Sequence, residues 1–193
     1  SAGMSGLFWV ISGLSIIAML VVFTLPSVKP INYYKLSLSS FKEVLSPKLM
    51  RLDFSAFSLH LILACGFIVM PLLLVDNNII DFEDNWQLYL PAIIISFIGM
   101  VPLIIASEKY KKTKLVLLIS VGLLIVSQWL FFTLDLSLWV FLVLLSLFFV
   151  AFNAVEAILP SILSRTAGAS KRGLAMGIFS TSQFLGTFIG GAI

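Results

Sequence analysis

The chain has 193 residues, of which 60% are hydrophobic and only 11% are charged, and its formal net charge is +3. Soluble domains carry about 25% charged residues, so this chain has too few polar side chains to cover a water-facing surface. The composition excludes a soluble globular domain and predicts that most of the chain lies in lipid. One cysteine, Cys65, excludes an intrachain disulfide and a CxxC metal site, so neither a metal nor a cofactor is expected.

Six apolar segments are long enough to be transmembrane helices. A bilayer core of about 30 Å requires about 20 apolar residues in a helix, and backbone groups in lipid must find partners within that helix. The segments are continuously apolar, without the alternation of barrel strands. We expect an all-α polytopic membrane protein with six transmembrane helices. They are Leu7–Leu25, Phe54–Val75, Leu88–Ser107, Leu115–Thr133, Leu138–Leu163 and Gly173–Ile193.

Both ends of the chain have the character of a fragment. The chain does not begin with methionine, and its first apolar segment lacks the flanking basic region and small-residue cleavage site of a signal peptide. The last apolar segment is only just long enough to span a bilayer. We expect the chain to be part of a longer protein.

All twelve basic residues fall in the first, third and fifth loops, whereas the second loop, Asp76–Gln87, carries four acidic residues and no basic one. By the positive-inside rule the three basic loops are predicted to be cytoplasmic. The basic charge is therefore explained by topology and by anionic lipid, and no nucleic acid partner is expected. The basic residues are Lys29, Lys35, Lys42, Lys48, Arg51, Lys109, Lys111, Lys112, Lys114, Arg165, Lys171 and Arg172.

The first loop is long enough to hold structure of its own. Ser40 followed three residues later by Glu43 fits a capping box. The pattern predicts a short amphipathic helix over Phe41–Leu45 at the cytoplasmic surface, ending before Pro47.

Glu156 is the one carboxylate well inside a predicted span, and it shares a helix face with Ser146, Phe149, Asn153 and Pro160. Burying a charge in lipid costs at least about 2.5 kcal/mol, so such residues usually face the bundle interior or water. Glu156 is therefore a candidate proton-coupling or switch residue, and Asn153 is a candidate cavity contact. The alternative is a structural carboxylate that is bonded to a neighbouring helix or to Arg165.

His60 is the one histidine, two turns into the second span and on the face that carries Asp53, Phe57, Ala64 and Phe67. Its imidazole can exchange a proton, which makes it a second proton-coupling candidate. The alternative is a hydrogen-bonded packing residue.

The last span is rich in small residues, which allow helix backbones to approach closely. Gln183 lies near its middle, where an amide needs a partner or a ligand, and it is a substrate-cavity candidate. Gln128 is a weaker candidate of the same kind. The predicted packing glycines are Gly173, Gly177, Gly186 and Gly190.

Two runs carry a family resemblance. Residues 148–161 read FFVAFNAVEAILPS and residues 173–186 read GLAMGIFSTSQFLG. They resemble the tenth and eleventh helices of major facilitator superfamily transporters, most of all the YajR-type branch of bacterial inner membrane transporters. Glu108, Lys109 and Lys112 match the acidic and basic positions of the family's loop signature G-x-x-x-D-R-x-G-R-R, whereas Lys111 occupies its glycine position.

The resemblance covers the whole chain and implies half of a twelve-helix fold. Residues 1–25 would be the last helix of the N-terminal half, 26–52 the cytoplasmic linker, and 53–193 the first five helices of the C-terminal bundle. It also implies alternating access around a midplane site, with protons, a small-molecule substrate and the missing N-terminal half as partners.

The prediction is a proton-coupled exporter of small lipophilic compounds and not an enzyme. Two alternatives remain open. A polytopic membrane enzyme would need clustered His, Asp, Ser or Cys at one depth. In a non-transporting membrane scaffold, the polar face of Glu156 would be purely structural.

Overall fold

The computed structural model describes residues 3–26 and 38–193, and the regular secondary structure within these ranges is helical. The chain divides into two compact units, Ser1–Lys35 and Leu36–Ile193, which are described separately. The first unit contains α1 (Gly3–Phe23), whose large apolar side chains from Phe8 onwards are exposed. The second unit contains α2 (Leu38–Val44), α3 (Pro47–Asp76), α4 (Trp86–Glu108), α5 (Thr113–Thr133), α6 (Leu138–Ala167) and α7 (Arg172–Ala192).

Each predicted span coincides with a helix, and four of the described helices are long and apolar enough to cross a membrane: α3, α4, α5 and α6. In α1 the apolar stretch is the shorter run Phe8–Phe23. α7 is rich in glycine, serine and threonine, which lowers its hydropathy. An all-helical membrane fold is thus confirmed, whereas the number of six spans stays a prediction.

α3 and α6 are longer than predicted, and local sequence explains both extensions. α3 begins at Pro47, seven residues before the predicted span, because proline is well suited to the first turn of a helix. α6 continues to Ala167 and is followed by Gly168, whose φ of 73° is a backbone conformation that glycine adopts without steric cost. Both extensions lie at the end of the bundle that carries the basic loops.

The predicted amphipathic helix of the first loop is present as α2, with a different start. α2 begins at Leu38, so Ser40 lies inside the helix rather than before it, and the Ser40 side chain lies outside the described part of the structure. Val44 is buried, as an amphipathic helix requires, but Phe41 is 40% exposed. Lys29 and Lys35 of the same loop also lie outside the described residues.

α6 is the central helix of the second unit. It packs against α3, α4, α5 and α7, and it buries the largest set of side chains among the described helices. Helix association in lipid depends on this close packing, because lipid tails are as apolar as the side chains and burial away from lipid gives no hydrophobic gain. The buried set includes Phe141, Leu145, Phe148, Ala151, Val155, Ile158 and Leu163.

α7 packs closely along α3, and two glycines make the approach possible. A Cβ added to Gly186 would overlap the carbonyl oxygen of Phe57, and one added to Gly190 would overlap that of Leu61. At Gly173 and Gly177 an added Cβ would meet no atom within 4 Å. Backbone contact with α3 is therefore made at Gly186 and Gly190, and a packing role for the other two stays a prediction.

Candidate functional site

Three partly buried polar side chains from three helices meet between α3, α6 and α7. Nε2 of Gln183 on α7 donates a hydrogen bond of 2.9 Å to Oε1 of Glu156 on α6. Nε2 of His60 on α3 lies 3.8 Å from Oε2 of Glu156 and 3.4 Å from Nε2 of Gln183. The structure thus joins three of the predicted site residues into one cluster, which we call the His–Glu–Gln cluster.

The orientation of His60 is set by its own helix. Nδ1 lies 3.0 Å from the carbonyl oxygen of Ala56, one turn earlier. A carbonyl only accepts hydrogen bonds, so we assign the hydrogen to Nδ1, which leaves Nε2 to face the cluster. In the neutral ring Nε2 can accept from Gln183, and in the protonated ring it can donate towards Glu156.

Glu156 keeps one oxygen unused. Oε2 is buried and has no hydrogen-bond partner among the described residues, while Oε1 is bonded to Gln183. A carboxylate oxygen in this position can bind a proton or pair with a protonated His60. The cluster can therefore hold one mobile proton between a carboxylate and an imidazole.

An aromatic group lies next to the cluster on the side of the acidic loop. Phe152 stands edge-on to the His60 ring, with centroids 5.9 Å apart. One turn further, Phe67 stacks on Tyr89 at 5.9 Å, and Phe149 contacts both rings. These rings lie between the cluster and the acidic loop, and they offer an apolar, polarisable surface next to the carboxylate.

Two predicted cavity contacts lie outside the cluster. Nδ2 of Asn153 donates to Oγ of Ser96 at 2.9 Å and so links α6 to α4. Gln128 on α5 lines two grooves between α3 and α5, of about 480 Å³ and 500 Å³. Neither residue contacts Glu156 among the described interactions, and their substrate role stays a prediction.

The loop signature forms an ion pair at the basic end. Arg165 at the end of α6 donates to both carboxylate oxygens of Glu108 at the end of α4, with Nη2–Oε1 at 2.8 Å. The Ser161 hydroxyl donates a hydrogen bond to Glu108 and accepts one from Arg165. Arg165 thus binds Glu108 and not Glu156. Of the two partners named for a structural Glu156, Arg165 or a neighbouring helix, the structure shows the neighbouring helix, through Gln183.

The lysines of the signature are exposed, but the backbone between them is constrained. Lys109 lies 5.8 Å over the ring of Tyr110. Lys111, in the glycine position of the signature, has a φ of 57°. The backbone therefore keeps a conformation suited to glycine although the residue is lysine. Lys112 follows it at the start of α5.

Sequence reasoning did not identify several of these contacts. The Lys171 ammonium forms an ion pair with Glu43, which ties α2 to the start of α7. Ser161 and Tyr89 were not singled out, because an isolated serine or tyrosine in an apolar run has no distinguishing spacing. Charge alone could have suggested Glu43, since it is the one acidic residue of the first loop before Asp53.

The chain is similar to known membrane transporters. The family model of the Major Facilitator Superfamily matches residues 1–191. The chain is 37% identical to the inner membrane transport protein YajR of Escherichia coli strain K12, an alignment that covers 99% of this chain and 43% of YajR. It is 34% identical to an uncharacterized transporter of Buchnera aphidicola subsp. Acyrthosiphon pisum, which covers 97% of this chain and 50% of that protein.

The chain thus spans half or less of the length of these relatives, and no solved structure matches it. The family match extends over nearly the whole chain, and the long apolar helices agree with it. The chain belongs to the major facilitator superfamily of membrane transporters.

Proposed function

We propose that this chain forms part of a secondary active transporter that exports small lipophilic compounds in exchange for protons. The observation that carries the proposal is the meeting of His60, Glu156 and Gln183 from three different helices. A carboxylate and an imidazole inside a membrane bundle are costly to bury and usually mark ion pathways. Their contact gives a proton two alternative acceptors a few ångströms apart.

The surroundings of the cluster favour a lipophilic substrate. The rings of Phe67, Tyr89, Phe149 and Phe152 lie on the acidic-loop side of Glu156. Aromatic faces bind apolar and cationic groups without needing paired hydrogen bonds. A lipophilic compound with a positive charge held there would compete with the proton for the negative charge of Glu156, which is the coupling that exchange requires.

The family match supports a proposal for the rest of the architecture. We place the chain as the C-terminal half of a twelve-helix protein, with α1 as the last helix of the other half and the second unit as five helices of one bundle. Alternating access would then rock the two halves around the cluster. YajR is named as an inner membrane protein, and the same location is proposed here, with the three basic loops on the cytoplasmic side.

The test uses the full-length transporter in proteoliposomes under an imposed pH gradient. Lumenal pH is followed while lipophilic cations, sugars and amino acids are added in turn. Glu156→Gln keeps the shape of the side chain but cannot release a proton, and Glu83→Gln is the matched control because Glu83 is exposed in the acidic loop. We expect proton movement with a lipophilic compound in wild type and in the control, and its loss in Glu156→Gln.

The alternatives give different results. Proton movement that survives in Glu156→Gln would reduce the cluster to a structural role. If the protein is folded and none of the added compounds causes proton movement, that result would favour a membrane scaffold or a polytopic enzyme and overturn the proposal.

A further inference from the structure

Asp53 is a second acidic side chain of the same bundle that the cluster does not use. It lies near the basic-loop end of α3, and only 7% of its surface is exposed. Its Oδ1 atom is buried and has no hydrogen-bond partner among the described residues. An unpaired buried carboxylate oxygen is costly, so the position requires water or a proton at that atom.

Within residues 3–26 and 38–193, the charged groups around this end of the bundle form no ion pair with Asp53. Arg165 of α6 is bonded to Glu108, and Lys171 at the start of α7 is bonded to Glu43. The remaining basic side chains of α3 and α7 at this end are exposed to the surroundings, and none forms an ion pair with Asp53 in the described residues. They are Lys48, Arg51 and Arg172.

Asp53 and His60 share one face of α3. Seven residues separate them, which is two helical turns and about 10 Å along the axis. Leu49 and Ala56 of this face are also buried, so the face points into the bundle. Proton transfer over that distance requires about two or three bridging waters.

We propose that Asp53 is the relay through which the His–Glu–Gln cluster exchanges its proton with the basic-loop side of the membrane. A proton from water binds Oδ1 of Asp53, which becomes a neutral acid. The proton then leaves Oδ1 and passes through water to Nε2 of His60 or Oε2 of Glu156. Asp53 is again a carboxylate after this transfer. The aromatic rings at Phe67, Tyr89 and Phe149 lie beyond the cluster, so this route approaches it from the opposite side.

The inference rests on the proposed function for its biological meaning, but its test needs no substrate. The full-length protein in oriented proteoliposomes is given a rapid pH jump on the basic-loop side. Protonation of the Glu156 carboxyl is followed by time-resolved infrared absorption, and the band is assigned by its absence in Glu156→Gln. The variants are Asp53→Asn, Asp53→Glu and, as the matched control, Asp76→Asn at the exposed far end of α3.

We expect Asp53→Asn to slow protonation of Glu156 by at least about tenfold, the low end of what a positioned proton-transfer group contributes. The final extent of protonation should not change, because a relay alters the rate and not the equilibrium. Asp53→Glu should restore the rate, and Asp76→Asn should match wild type. An unchanged rate in Asp53→Asn would overturn the inference, as would a change in the final extent alone.

The two proposals fail separately in these experiments. A fast, Asp53-independent signal together with substrate-driven proton movement would refute the relay and leave the transporter. If protonation of Glu156 depends on Asp53 but no compound drives proton movement, the relay would stand and the proposed export would be refuted.

Discussion

Gln183 on α7 and Glu156 on α6 are joined by a hydrogen bond of 2.9 Å at the level where His60 of α3 meets both. Among the described contacts, this bond is the polar side-chain link between α6 and α7, which otherwise pack through small and apolar side chains. It fixes the orientation of the carboxylate, with one oxygen bonded and the other directed at His60.

Replacing Gln183 by methionine keeps the length of the side chain and removes the donor. We expect the full-length protein to lose about 1 kcal/mol of unfolding free energy, since a partly buried acceptor is left without its partner. Denaturant unfolding in detergent micelles measures this change in unfolding free energy. Ser182→Ala is the control because the Ser182 hydroxyl bonds only the carbonyl of Ile178 on its own helix among the described contacts. An equal loss in both variants would contradict the prediction.

Alanine at Gly186 or Gly190 should separate α3 from α7. The new Cβ would overlap a backbone carbonyl of α3, which cannot rotate away as a side chain can. We expect a loss of about 1–3 kcal/mol for each substitution, as for overpacked interiors. Gly177→Ala is the matched control, because open space surrounds Gly177 and alanine favours helix, so stability should stay level or rise by up to about 1 kcal/mol. Thermal unfolding of the three variants side by side decides the matter.

Glycine at position 111 should stabilise the protein. Lys111 has a φ of 57°, a conformation that costs a residue with a Cβ about 1–2 kcal/mol and costs glycine nothing. We expect Lys111→Gly to raise the unfolding free energy by about 1 kcal/mol. This figure allows for the entropic cost of glycine, which has more conformational freedom in the unfolded chain.

Lys109→Gly removes the same charge two residues away, where φ is −76° and the backbone is helical. It should lose about 0.5–1 kcal/mol. Opposite signs at these two lysines are the expected result of unfolding measurements, and a loss at both positions would show that the left-handed backbone is not the cause.

The pair between Glu108 and Arg165 should hold the ends of α4 and α6 together. Glu108→Gln removes the charge, and Arg165→Lys keeps the charge but loses the forked donor. Both should speed tryptic cleavage in the loop at Lys109–Lys112, whereas Glu83→Gln in the acidic loop should not. Because the pair is exposed, the difference from wild type should shrink at high salt. A difference that is insensitive to salt would point to packing instead.

The helices of this fold were predictable from sequence, since lipid requires long apolar helices and the prolines and glycines mark several ends. α3 and α6 differ from prediction only by turns that extend beyond the apolar run. The face of Glu156 was also predictable, because helical spacing groups its polar residues on one side and a charge is costly in lipid.

The meeting of His60, Glu156 and Gln183 was not predictable, because the rotation of each helix about its axis depends on packing across the whole bundle. Asn153 illustrates the point. It lies only three residues from Glu156, yet that offset turns it towards Ser96 of α4. Likewise, nothing local to Glu108 indicates that its partner is Arg165.

The glycine contacts between α3 and α7 have a thermodynamic consequence for the cluster. The backbones of α3 and α7 are in direct contact at Gly186 and Gly190, so these two helices cannot shift easily against each other. His60 and Gln183 therefore keep their separation, whereas Glu156 belongs to a third helix, α6. Any tilt of α6 therefore changes the distance of its carboxylate from a fixed pair of partners. Proton binding and the position of α6 are then linked, and by reciprocity each biases the other by the same free energy.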